Sequence, residues 1–189
     1  MERALIVCDA PKGTAFFRDY LIQNGCDEVT TVDNGAEAKR RMVEGEYDIC
    51  IINAPLRTET GERLSIELAE KNICQVLLFV KADRMEEITE KVEDYGVISV
   101  AKRISRQMFW SALKLARVTQ RRLTMARREN AKLQKKIEDL KLVSRAKLVL
   151  ISYAGMSEEE AHKYLERQAM DRRMPRADVA REVLDQYEQ

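Results

Sequence analysis

The sequence predicts a doubly wound α/β domain over residues 1–116, then a long coiled-coil helix and a small all-α unit of three helices. The α/β prediction depends on continuous apolar runs, which are typical of parallel strands covered on both faces. Three such runs are residues 4–8 (ALIVC), 49–52 (ICII) and 76–80 (VLLFV), with weaker strand patterns at 28–32 and 97–101. Only seven glycines and three prolines among 189 residues disfavour a turn-rich all-β fold.

Helical patterns fall between these runs. They occupy residues 13–24, 34–44, 61–71, 83–94 and 105–116. Five strands and five helices in strict alternation indicate a parallel sheet with helices on both faces.

Composition narrows the possible functions. There is no run of 18 apolar residues and no leader-like amino terminus, so we expect a cytoplasmic protein without a membrane partner. The four cysteines, Cys8, Cys26, Cys50 and Cys74, lack metal-binding spacing and are expected to be buried and reduced. A single histidine, His162, is too few for most catalytic or zinc sites. We therefore expect neither an enzyme nor a bound metal or cofactor.

Charge is distributed unevenly along the chain, although the net charge is only +1. Residues 1–110 carry 15 basic and 20 acidic side chains, and residues 148–189 carry six and nine. Residues 111–147 carry 12 basic against three acidic side chains, a net charge of +9. The excess of positive charge therefore lies in residues 111–147 and not in the first domain.

A long helix is predicted from residue 105 to residue 153, because this stretch contains neither proline nor glycine. Its second half carries a heptad repeat. The a and d positions of that repeat are Leu123, Ala126, Asn130, Leu133, Ile137 and Leu140. An asparagine at a buried a position favours a parallel, in-register homodimer through a coiled coil over residues 117–143, since it can pair with its equivalent in the partner helix. The alternative is a single long helix packed on its own domain.

The last segment, residues 144–189, is predicted to form a compact three-helix unit with the end of the long helix. Gly155 suits a helix stop, and Ser157 with Glu160 forms a capping box that begins a helix over residues 158–171. The proline of Met174-Pro175 then suits the first turn of a final helix that ends near Tyr187.

Residues 1–116 resemble the receiver domain of two-component response regulators, which has a flavodoxin-like fold. The resemblance rests on the order of elements and on Asp9, Gly61 and Lys102. It implies acidic residues after the first strand and an aspartate after the third, which together hold a divalent cation. That aspartate accepts a phosphoryl group. A hydroxyl residue after the fourth strand and a lysine after the fifth respond to the phosphorylation.

The positions that carry this chemistry are changed. Cys8 replaces one residue of the acidic pair, and Asn53 stands at the phosphoacceptor position, where an amide is neither a nucleophile nor an anionic ligand. Val80 occupies the hydroxyl position, so that only Asp9 and Lys102 are retained. We therefore expect a pseudo-receiver that is not phosphorylated, and the signal that replaces phosphorylation is a ligand, a partner protein or simply abundance.

Residues 142–184 resemble the ANTAR domain of transcription antitermination regulators. The matching segments are 143–147 (VSRAK), 155–161 (GMSEEEA), 168–173 (QAMDRR) and 179–180 (VA), with Leu150 and Leu165 between them. Leu148 and Ile151 depart from the family pattern, which has glycine and methionine there. The resemblance implies binding to stem-loops in nascent leader RNA, so that a terminator hairpin cannot form.

Cations in this segment are candidates for contact with RNA phosphates, because RNA-loop recognition requires positive side chains and groups that contact unstacked bases. The candidate RNA-binding residues are Arg145, Lys147, Arg172, Arg173 and Arg176. Tyr153 and His162 could stack on bases, although a core or surface role is the simpler interpretation. A competing hypothesis is a protein-interaction adaptor, in which the pseudo-receiver and the tail bind other regulators. DNA binding is disfavoured, because the final helix is net acidic.

Overall fold

The computed structural model describes residues 2–57, 59–71 and 74–187. Residues 188 and 189, the end of the predicted third segment, lie outside the described residues. The chain divides into two compact units, of which the first ends at Met125 and the second begins at Ala126. None of the described helices is long and apolar enough to cross a membrane.

The first unit contains a five-stranded parallel sheet in the order β2-β1-β3-β4-β5. The strands are β1 (Arg3–Val7), β2 (Glu28–Val32), β3 (Ile49–Asn53), β4 (Gln75–Val80) and β5 (Ile98–Ala101). All five lie where the apolar runs predicted them. The doubly wound α/β prediction is therefore confirmed.

Five helices connect and follow these strands. They are α1 (Pro11–Gln23), α2 (Gly35–Glu44), α3 (Glu62–Lys71), α4 (Met85–Val92) and the long α5 (Arg106–Ala154). The predicted helix 83–94 is instead a shorter α-helix with a 3₁₀ turn at each end, Ala82–Arg84 and Glu93–Tyr95. The chain leaves the second turn through Gly96 at φ +74°, a left-handed conformation that glycine adopts without a steric cost.

The sheet buries a separate apolar cluster on each face. Alternate residues of β1 enter opposite clusters, Leu5 on one side and Ile6 on the other. The second cluster includes Phe109 of α5, whose ring packs against the rings of Tyr20 and Phe79 at centroid distances of 4.3 and 5.3 Å. The first turns of α5 are therefore part of the core of the α/β unit.

All four cysteines are buried and free, as predicted. Burial raises the pKa of Cys74 to about 12 and that of Cys50 well above its ordinary value. Because the thiolate is the reactive form, burial lowers the reactivity of these two thiols.

A partly buried ion pair joins α5 to the start of the sheet. The Arg117 guanidinium donates to both carboxylate oxygens of Glu2, at 2.6 and 2.8 Å, and to the Asn24 carbonyl at 2.9 Å. The two side chains are only 15% and 22% exposed.

Replacing Glu2 by glutamine is expected to lower the free energy of unfolding by about 1.5–3 kcal/mol, because a charge-assisted bidentate contact is lost and a guanidinium is left partly desolvated. Chemical denaturation of both proteins measures this change. Glu28→Gln is the matched control, since its pair with Arg3 is more exposed and screened by water. Equal stability losses in the two variants would show that the Arg117–Glu2 pair contributes no more to stability than the more exposed Arg3–Glu28 pair.

The middle of α5 is exposed in the single chain. The four aliphatic residues of its heptad repeat, Leu123, Leu133, Ile137 and Leu140, are 37%, 50%, 52% and 65% exposed. The prediction of one continuous helix is confirmed. The alternative, in which this helix packs along its own domain, does not hold for these four side chains.

The second unit is a three-helix arrangement of the end of α5 with α6 (Glu158–Asp171) and α7 (Arg176–Tyr187). Gly155 has φ +67°, and the predicted capping box is present, with the Ser157 amide donating to Glu160 at 2.8 Å. This contact lowers the pKa of the Glu160 carboxyl. The predicted core residues Ala146, Leu150, Ala161, Leu165, Ala169 and Ala180 are all buried.

Candidate functional site

The first candidate site lies at the carboxyl edge of the sheet, where β1, β3, β4 and β5 end. The structure brings Cys8 and Asn53 into contact, with the Asn53 amide donating to Cys8 Sγ at 3.2 Å. A Cβ atom at Gly13, in the first turn of α1, would lie 2.9 Å from that sulfur and 3.2 Å from Asn53 Nδ2. The helix therefore passes close over a thiol–amide pair, at the position where the receiver chemistry requires carboxylates.

The remaining residues of this site are spread around the pair. Asp9 lies 3.9 Å from the exposed Arg57, a neighbour that the sequence did not identify. Val80 is buried, and its carbonyl accepts from the Lys102 amide at 2.7 Å. Burial lowers the pKa of the Lys102 ammonium, and the charge of Lys81 lowers it further. Within the described ranges, no three His, Cys, Asp or Glu side chains are grouped so that they could hold a metal ion.

Incubation with acetyl phosphate and Mg²⁺ is expected to leave the chain unphosphorylated, because Asn53 offers no carboxylate nucleophile at the phosphoacceptor position. Intact-mass spectrometry measures the addition of one phosphoryl group. A phosphoprotein that forms on the wild-type chain and is lost in Asp9→Ala would contradict the pseudo-receiver assignment.

The second candidate site is the cationic surface of the three-helix unit. Three of the five predicted cations contact exposed acids. Lys147 lies 3.0 Å from Glu158. Arg176 lies 2.9 Å from Glu166, and Arg172 contacts Glu182 with two hydrogen bonds.

These contacts orient the cations but leave them available to bind another anion. Exposed ion pairs contribute little because water screens them, so a polyanion can displace the acid partner at a small cost. The pair with Glu182 raises the pKa of Arg172 and lowers that of Glu182. The acid partners could not be identified from the sequence, because each pair is ten or more residues apart and forms only when the helices meet.

Arg173, two residues after the end of α6, has a left-handed conformation at φ +51°. The Met174 amide donates to the Ala169 carbonyl at 3.0 Å, which is the bond that commonly closes a helix at a left-handed residue. Glycine usually fills this position, so the sequence carried no signal of it. The backbone turn at Arg173 directs the chain into α7.

The predicted cations do not form one cluster. Lys147 and Arg176 line the same groove between α5 and the start of α7, together with His162 of α6. Arg145, Arg172 and Arg173 are exposed but are not part of its lining.

The chain combines a receiver-type α/β domain with a long helix and a small three-helix unit. Residues 131–184 match the family model of the ANTAR domain. The first unit has the fold of the signal receiver domain of an HD domain-containing protein from Pseudomonas fluorescens Pf-5, with TM-score 0.58 and 18% identity over 68% of this chain and 92% of that one. A receiver domain protein from Methanospirillum hungatei JF-1 gives a TM-score of 0.57 at 14% identity, over 65% and 98% of the two chains.

Similarity to individual regulators covers both units. The transcriptional regulatory protein PdtaR of Mycobacterium tuberculosis H37Rv is 29% identical over 185 residues, which are 97% of this chain and 90% of that protein. The nitrate regulatory protein of Klebsiella oxytoca is 34% identical over 91 residues, 48% of this chain and 22% of that protein. The aliphatic amidase regulator of Pseudomonas aeruginosa PAO1 is 34% identical over 100 residues, 51% and 43% of the two chains. The chain is homologous to regulators of transcription, and its last part is an ANTAR domain.

Proposed function

We propose that the chain is an RNA-binding regulator of transcription by antitermination, and not an enzyme. In this proposal it acts in the cytoplasm as a dimer, binds stem-loops in nascent leader RNA and needs no phosphorylation. The observation that carries the proposal is the ANTAR domain at residues 131–184, which overlaps the end of the segment with net charge +9.

The chemistry of the tail supports an RNA partner. Each phosphate contact by a lysine or arginine releases condensed counterions, so a cationic surface gains affinity for a polyanion and loses it as salt rises. The exposed cations of α5, α6 and α7 lie on a three-helix scaffold that has its own apolar core. A folded scaffold favours recognition of a folded loop, because little ordering is needed on the protein side.

The exposed aliphatic seam of α5 supports a dimer. We propose that residues 117–143 form a parallel coiled coil, with residues 1–116 as pseudo-receiver and residues 144–189 as RNA-binding domain. Burying four half-exposed aliphatic side chains against a second copy removes apolar area from water. Two linked tails would then engage two adjacent hairpins, which multiplies the apparent affinity without new contacts.

One feature favours the adaptor as a second candidate. A cleft of about 810 Å³ lies beside the altered site of the first unit and is lined by Asp9, Arg18, Asp33 and Arg57 among others. Such a cleft could accept a partner or ligand that replaces phosphorylation as the input.

A gel-shift experiment distinguishes the two functions. The full-length chain is titrated into labelled leader RNA from its native host, with the same RNA carrying disrupted stems as control. We expect a salt-sensitive shift of the paired stem-loops alone. Co-purification of a protein partner together with no shift of any leader RNA would favour the adaptor.

A further inference from the structure

The groove between α5 and α7 has the composition of a ligand site. Its volume is about 460 Å³, which lies in the range of roughly 300–1,000 Å³ typical of small-molecule pockets. All of its lining belongs to the second unit. The lining residues are Lys136, Asp139, Leu140, Val143, Ser144 and Lys147 of α5, His162 of α6, and Pro175, Arg176 and Ala177 at the start of α7.

The lining of the groove combines two kinds of chemistry. Val143 and Pro175 contribute apolar surface, whereas Leu140 belongs to the heptad seam and is buried in the proposed coiled coil. The lining also contains three cations, Lys136, Lys147 and Arg176, and one acid, Asp139. Such a combination of apolar and positive side chains fits a ligand that joins a flat apolar ring to a negative group.

Two cations of the rim are held in place by acids outside the groove. Glu158 lies 3.0 Å from Lys147, and Glu166 lies 2.9 Å from Arg176. The same Glu166 carboxylate lies 3.3 Å from His162 Nε2, so it contacts both the imidazole and the guanidinium.

The start of α7 adds a second attraction for a negative group. The first amides of an α-helix have no intrahelical carbonyl partner and carry the positive end of the helix dipole. In α7 the earliest of these bonds, from the Asp178 and Val179 amides, both go to the Pro175 carbonyl. Arg176 and Ala177, which precede them, line the groove.

We propose that this groove binds one unpaired nucleotide of an RNA loop, with its base against Val143, Pro175 and His162. The phosphate of that nucleotide contacts Lys147, Arg176 and the start of α7. This inference rests on the proposed RNA-binding function and assigns one base-recognition position within it. Imidazole rings and apolar side chains are suitable surfaces for a base that has left its stack.

Charge indicates the chemistry of the occupant. The lining carries three cations and one acid, so a negatively charged occupant is favoured, and the phosphate of a nucleotide supplies that charge.

Ser144→Phe tests the proposal by filling the groove from an exposed position of α5. Ser152→Phe is the matched control, because Ser152 is an exposed serine of the same helix outside the groove. The probe is the RNA hairpin most enriched by the wild-type chain from a library with a fixed stem and a randomised loop. We expect Ser144→Phe to lower the affinity for this hairpin at least about tenfold, the effect of losing one stacked base, and Ser152→Phe to leave it unchanged.

Abasic substitution at each loop position identifies the bound base. One abasic position should weaken binding to the wild-type chain about tenfold and have no further effect on Ser144→Phe. The same position should lose its effect in His162→Ala, a substitution at an exposed residue.

Three results would overturn the proposal in different ways. If Ser144→Phe binds the selected hairpin as the wild type does, the groove is not the base site although RNA binding stands. If Ser144→Phe changes the oligomeric state in sedimentation, the groove is a contact between copies. If no hairpin is enriched by the wild-type chain, the proposed function itself fails.

Discussion

Replacing Arg145 and Lys147 together by alanine is expected to lower the affinity for leader hairpin RNA at least about a hundredfold. A hydrogen bond between charged groups contributes so much binding free energy that the loss of two raises the dissociation constant about a hundredfold. The slope of affinity against salt concentration should also become shallower, because fewer counterions are released on binding. Fluorescence anisotropy across a salt series measures both quantities.

The fold of this double variant should be intact. Arg145 is exposed, and loss of Lys147 leaves Glu158 largely exposed to water, so no charge is buried without a partner. Circular dichroism should show the wild-type helix content. Lys132→Ala with Lys135→Ala is the matched control, since it removes the same charge from exposed positions of α5. If both double variants bind equally, only the net charge matters and the assigned face is wrong.

Replacing Ile137 by aspartate is expected to convert the dimer into monomers. A carboxylate at a buried a position would be desolvated opposite its own equivalent in the partner helix, which a coiled coil of this length cannot offset. The single chain should remain folded, because Ile137 is 52% exposed there. Sedimentation equilibrium measures the change in mass.

The same variant should bind tandem hairpins far more weakly than the wild type does. Loss of the linked second site lowers the apparent affinity by about 10²–10⁴-fold, while affinity for one isolated hairpin changes little. Met125→Asp is the control, because Met125 is 71% exposed and lies off the heptad seam. Asn130→Leu should instead change register or oligomeric state. A monomeric wild-type chain would contradict the coiled-coil proposal.

The central strands were predictable because a strand that is covered on both faces consists of an unbroken run of apolar residues. The two edge strands gave weaker patterns for a physical reason. β2 (EVTTV) is buried only at Val32, and β5 (ISVA) only at Val100, so neither needs a continuous apolar sequence. Position in the sheet therefore decided how clearly each strand could be recognised.

Features that depend on a few neighbouring residues could also be predicted from the sequence, whereas contacts between residues far apart in the chain could not. The capping box of Ser157 and Glu160 spans three residues, and its chemistry is visible in the sequence. The contact of Arg117 with Glu2 joins residues 115 positions apart, and nothing in either local segment indicates it. The groove at His162 required three helices to be placed before its lining could be recognised.

RNA binding by the tail is decided by titrating the purified full-length chain into a leader RNA with paired stem-loops, first at low salt and then in a salt series. We expect a complex that forms with the folded RNA, weakens steeply as salt rises and is absent when the stems are disrupted. A correctly folded chain that does not bind such RNA even at low salt would contradict the proposed function.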